Sequence, residues 1–168
     1  CVDAPPGLVS WWPGGSSARD IVGSNDGEMS GGVTAVDGFI ASGDGLAFRF
    51  DGVDALVRVP HAPDLDPSLT SSFTVTARAR PAIRARNGTV VGKGHPYEEQ
   101  FIIDQLYGRW RGVARTEDGR ALRLFGPPVD TTSFTHLALS WDGSTMRLFV
   151  NGTEVEAGRL PNIARSRA

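Results

Sequence analysis

The chain's 168 residues are enough for one domain with a real core, and 40% are hydrophobic, which excludes global disorder. A net charge of -2 leaves no electrostatic footprint for a polyanion, so nucleic-acid binding is not expected. No apolar run is long enough to span a bilayer as a helix.

Residues 1–6, "CVDAPP", read as a linker tail, because paired prolines favour an extended, exposed chain. Cys1 is the sole cysteine, so no intrachain disulfide can form. It marks a sequence boundary, a lipid-carrying first residue, or half of a bridge to another segment. "GLVSWWP" reads as the first strand. Adjacent strand residues point to opposite faces, so Trp11 and Trp12 take opposite roles, one packed inside and one outside. A long run of small residues and carboxylates follows, and Asp51 and Asp54 in "FDGVD" form a second acidic turn, read as a hairpin.

From there period-two alternation dominates. In "FTVTARARP", Phe73, Val75, Ala77 and Ala79 share one face, with Thr74, Thr76, Arg78 and Arg80 on the other. In "YGRWRGVAR", Trp110 follows a turn containing Tyr107 and alternates with Gly112 and Ala114. "HLALSW" and "TMRLFV" alternate likewise, and "LSWDGSTMRLFVNGTEVEAG" reads as a three-strand meander with turns at its DG and NG. The DG pairs at Asp26, Asp37, Asp44, Asp51, Asp118 and Asp142, and NG at Asn87 and Asn151, suit the positive φ angles of tight hairpins. No segment holds a helical period. Many short strands with regular turns predict an all-β, antiparallel, two-sheet sandwich over residues 7–161, with residues 162–168 as a C-terminal tail.

Several phrases together carry a resemblance: "GLVSWWPGG", "DIVGSNDGEMSGGVT", "AFRFDGVDALVRVP", "FTVTARARP", "VVGKG", "FTHLALSWDGSTMRLFVNGTEV" and "AGRLP". In this order the chain resembles the laminin-G-like, concanavalin A-like jelly-roll domains of secreted bacterial proteins. The resemblance spans about residues 7–161. It implies a noncatalytic carbohydrate-binding or adhesion module of an extracellular bacterial protein, with a polysaccharide or glycan as partner. Related domains continue past the "LP" position into a glycine turn and a final acidic strand; this sequence ends at Ala168 without them. The resemblance therefore also implies an open edge and self-association through an edge strand, a structural alternative to sugar binding. A glycan-active hydrolase or lyase is the second alternative.

The resemblance further implies calcium as a cofactor in the loop after the first strand, with Asp20, Asn25 and Asp26 as its oxygen ligands. The competing reading is that these residues close Asx-turns. For sugar rings the candidates are the aromatics Tyr97, Tyr107 and Trp110, with Trp110 alternatively a core residue, and Arg78 and Arg111 for an acidic glycan. Arg80, Arg115 and Arg123 join them if all five arginines share one sheet face. Catalysis lacks a signature. A retaining glucanase needs two carboxylates about 5 Å apart, and no E-x-D-x-x-E phrase occurs; Glu98, Glu99 and Asp104 are only the nearest cluster. His61, His95 and His136 are isolated, which disfavours zinc, and His136 reads as a packed strand residue.

Overall fold

The computed structural model describes residues 4–39, 45–94 and 99–165. It divides the chain into two compact units, Cys1–Leu65 and Asp66–Ala168. The architecture is all-β and antiparallel, with two short 3-10 turns, Pro63–Leu65 and Pro67–Leu69. Cys1 and Tyr97 lie outside the described residues.

The first unit holds β1 (Glu28–Ser30), β2 (Thr34–Asp37), β3 (Leu46–Arg49) and β4 (Leu56–Arg58). β1 pairs with β4 and β2 with β3. The Asp51–Asp54 turn is therefore not a hairpin: it links strands of different ladders. Asp51 Oδ1 accepts from the Val53, Asp54 and Ala55 N–H groups, and Gly52 takes a φ of 78°. No strand precedes β1 among the described residues. "GLVSWWP" is held by its own loop instead, since the Ile21 N–H donates to the Trp11 carbonyl at 3.0 Å. Trp11 and Trp12 differ only in degree, Trp12 half-buried and Trp11 exposed; neither enters the core, and no strand alternation separates them. Trp12 Nε1 donates to the Asn25 carbonyl at 2.8 Å.

The second unit is a sandwich of two four-stranded sheets. One is ordered β12-β11-β10-β5, from Thr153–Arg159, Thr145–Val150, Thr135–Trp141 and Phe73–Ala79. The other is ordered β6-β7-β8-β9, from Asn87–Lys93, Phe101–Leu106, Arg109–Arg115 and Ala121–Pro128. Alternation sets what each sheet buries. Leu137, Leu139 and Trp141 of β10 and Met146, Leu148 and Val150 of β11 share one core with Ile103, Trp110, Ala114 and Leu124. Gly112 lets the layers approach: a Cβ there would lie 2.7 Å from Leu139 Cδ1.

The meander stands as read. Asn151 and Gly152, with φ of 50° and 81°, form the tight β11–β12 turn, the conformation for which Asn-Gly is suited. Asn87-Gly88, in contrast, starts β6 and turns nothing. β12 is an exposed edge strand with a register shift between Leu148 and Phe149; its Glu156 accepts from the Phe125 N–H of β9 and its Glu154 pairs with Arg147. Past Pro161 the chain stays docked as far as Ala164 rather than forming a free tail. Ile163 is buried and the Ala164 N–H donates to the Arg115 carbonyl at 2.7 Å.

Candidate functional site

Trp110 is 1% exposed, with its ring inside the sandwich, so it supplies packing and no sugar platform. Arg111, on the opposite face of β8, is engaged as well. Its guanidinium grips Asp104 of β7 through Nε, at 2.9 Å, and Nη2, and the Asp104 side chain is buried. Arg78 lies on β5, in the other sheet, facing His136 across the β5–β10 ladder. Burial and then the Arg78 charge hold the His136 imidazole below its ordinary pKa, as expected of a packed strand histidine. The condition that all five arginines share one sheet face is not met, since Arg78 lies on β5 in one sheet and Arg111, Arg115 and Arg123 lie on β8 and β9 in the other, which leaves the solvated outer face as the reading.

Tyr107 is the exception. It sits with Gly108 at the two-residue β7–β8 turn, where Leu106 pairs with Arg109. Both turn residues have positive φ, 50° and 72°. A tyrosine in the left-handed region costs about 1–2 kcal/mol, so the fold must hold it there. The Tyr107 N–H donates to the Arg86 carbonyl at 3.0 Å, the Gly108 N–H to the Ala85 carbonyl at 3.2 Å, and the Val129 N–H to the Gly108 carbonyl at 2.8 Å. Buried Gln105 fastens the same segment, accepting from the Ala85 N–H at 2.9 Å and donating to the Ile83 carbonyl at 3.3 Å. The result is a rigid turn carrying a ring that is 68% exposed.

Three arginines line the cleft beside that ring. Arg86 stacks over it, with Cζ 5.7 Å from the centroid. Arg84 Nε donates to the Val129 carbonyl at 2.9 Å, and Arg109 Nε to the Gly126 carbonyl at 3.0 Å. With Tyr107 and Pro128 they line an open cleft of about 560 Å³ that has no carboxylate in its wall. The sequence shows Tyr107 as a turn aromatic and Arg109 as a polar flank of Trp110, but gives no sign of Arg84 and Arg86, which lie more than twenty residues away.

In the first unit, Asp20, Asn25 and Asp26 come together as expected, but as a closed hydrogen-bond system. Asp20 Oδ1 accepts from the N–H groups of Trp11 at 2.9 Å, Val22 at 3.0 Å and Gly23 at 3.0 Å, while Oδ2 accepts from the Asn25 N–H at 3.2 Å. Asp26 Oδ1 accepts from the Asp20 N–H at 2.8 Å, and Asn25 Nδ2 donates to Ser10 Oγ and Asp64 Oδ2. Asp20 does not fit as a calcium ligand, because three N–H groups converge on its Oδ1 and a fourth on its Oδ2. Among the described residues no group of three or more His, Cys, Asp or Glu side chains could hold a metal. Melting temperature is accordingly expected to be the same in calcium and in chelator; a rise with calcium would contradict the geometry.

The same carboxylate predicts an acid response. Burial alone would raise the Asp20 pKa, but the Trp11, Gly23 and Val22 N–H donors outweigh it and hold the group well below the carboxylate range. A depressed pKa contributes stability above the unfolded value and loses it as pH falls toward the folded one. Asp20→Ala should cost at least about 2 kcal/mol at neutral pH, since several N–H groups lose their acceptor. In urea titrations the gap between wild type and variant should narrow below about pH 4. A gap independent of pH would contradict this.

A protein-family model described as the Concanavalin A-like lectin/glucanases superfamily matches residues 51–166. The chain belongs to this family. The concanavalin A-like sandwich is also similar to solved structures. The binding domain of Paraclostridial Mosquitocidal Protein 1 is 14% identical with a TM-score of 0.68, covering 88% of this chain and 40% of that one. The botulinum neurotoxin serotype G binding domain is 12% identical with a TM-score of 0.63, covering 89% and 40%. A third structure, described by the dependence of botulinum neurotoxin type C cell entry on two ganglioside molecules, is 12% identical with a TM-score of 0.63, covering 94% and 40%. This concanavalin A-like chain thus spans about two fifths of the length of each. No curated protein sequence matches it.

Proposed function

We propose that this concanavalin A-like domain is a noncatalytic carbohydrate-binding module of an extracellular bacterial protein, binding a glycan at the β7–β8 turn. The observation that carries the reading is Tyr107, an exposed ring fixed in a backbone conformation that disfavours tyrosine. Strained residues held by their surroundings cluster at functional sites. A flat ring beside an open cleft suits the apolar CH face of a pyranose, and hydrogen-bonding groups around it orient the hydroxyls. Membership of a lectin and glucanase family and the likeness to binding domains of toxins support a binding role.

The test separates stability from binding. Tyr107→Asn places a residue suited to positive φ in the turn. It is expected to unfold at the same temperature as wild type or higher, while retention by polysaccharide in affinity electrophoresis is lost. A variant that is destabilised, or that still binds, would count against the reading.

A further inference from the structure

We propose that the cleft beside Tyr107 takes an acidic sugar, its carboxylate or sulfate held by Arg84, Arg86 and Arg109 while the ring lies against Tyr107. This deepens the glycan-binding reading and rests on it. The three arginines come from the segment between β5 and β6 and from the start of β8, and line one cleft in a chain of net charge -2. Five arginines elsewhere, Arg111, Arg115, Arg120, Arg147 and Arg165, each pair with a carboxylate. No described carboxylate pairs with Arg84, Arg86 or Arg109. Like charges gathered without a partner repel, and an anion bound between them offsets that repulsion.

Each arginine is also positioned before any ligand arrives. Arg84 and Arg109 spend Nε on main-chain carbonyls, and Arg86 rests on the tyrosine ring. The donors left are the terminal Nη groups, whose fork matches the spacing of oxygens in a carboxylate or sulfate. A lysine ammonium would not make this two-point contact. Fixed side chains lose little further entropy on binding. The cleft, about 560 Å³, is wide open to solvent, so a sugar would lie across it rather than be enclosed.

Two matched pairs of polysaccharides test the charge: polygalacturonate against its methyl ester, and dextran sulfate against dextran. In titration calorimetry at low salt, the charged member of one pair should bind at least about tenfold more tightly than its neutral counterpart, as expected for charge-assisted hydrogen bonds. The pair that shows the contrast identifies carboxylate or sulfate. Added salt should weaken the charged complex. Arg84→Gln and Arg109→Gln should each weaken it about tenfold. Arg86→Gln should do so too, and it has no main-chain hydrogen bond to lose, so the test survives any disturbance of the turn by the others. Equal binding of charged and neutral members, lost in Tyr107→Ala, would overturn the acidic ligand and leave the glycan-binding module standing. Binding by none of a panel of neutral and acidic polysaccharides would overturn both.

Discussion

Trp110→Ala should cost about 3–5 kcal/mol, the usual penalty for truncating a buried tryptophan. Its side chain is among the largest fully buried ones, in the core shared with Leu124, Leu137 and Leu148. Its Cβ also lies about where a side chain on Gly126 would begin, 3.1 Å away, so the neighbouring strand already approaches as closely as packing permits. The empty volume would not be refilled by a small shift. Denaturant unfolding followed by near-UV circular dichroism measures the loss. A change below about 1 kcal/mol, the scale of ordinary surface substitutions, would mean that Trp110 is not a core residue, and would return it to the list of ring-stacking candidates.

Asp104→Ala should be nearly as damaging, about 3–5 kcal/mol, because it leaves the largely buried Arg111 guanidinium without its partner. Removing both charges is a different matter. Asp104→Leu with Arg111→Met replaces the pair by apolar groups, and such exchanges are often neutral or stabilising. The double variant should therefore recover most of the stability lost by Asp104→Ala, and its glycan binding should equal that of wild type, since Arg111 takes no part in the proposed site. Failure to recover stability would show that the pair does more than neutralise itself. Loss of binding would restore Arg111 as a ligand contact.

The β12-β11-β10-β5 sheet was legible strand by strand because alternation is a local signal, whereas in the other sheet only β8 was read, and β7, buried at nearly every position, has no alternation to show. Turns were legible where DG or NG closed a hairpin, as at the three-residue Asp142–Ser144 connection and the two-residue Asn151-Gly152 loop. Asn87-Gly88 misled because glycine there serves close approach: a Cβ on Gly88 would lie 3.1 Å from the Gln105 amide. "GLVSWWP" misled because its main-chain groups are satisfied by a loop carboxylate and by Ile21 rather than by a neighbouring strand. The loop at Asp20 was found correctly as a cluster, and its chemistry turned on donors that no residue pattern displays, namely main-chain N–H groups. Arg111 and Trp110 look alike in the string "RWR", yet one binds a buried aspartate and the other fills the core. The cleft at Tyr107 was only half visible. Arg84 and Arg86 reach it because Gln105 and the turn amides draw the segment between β5 and β6 across the hairpin, a long-range consequence with no local mark beyond the Arg-x-Arg spacing.

The most direct test of the account is to map the ligand contact residue by residue. Amide and arginine side-chain NMR resonances of the isotope-labelled protein would be followed while short oligomers of the binding polysaccharide are titrated in. The account predicts that shifts concentrate at Arg84, Arg86, Tyr107, Gly108 and Arg109, with Arg78 and Arg111 unmoved. Shifts centred on Arg78 and the outer face of β5 and β10, with the Tyr107 turn silent, would contradict it.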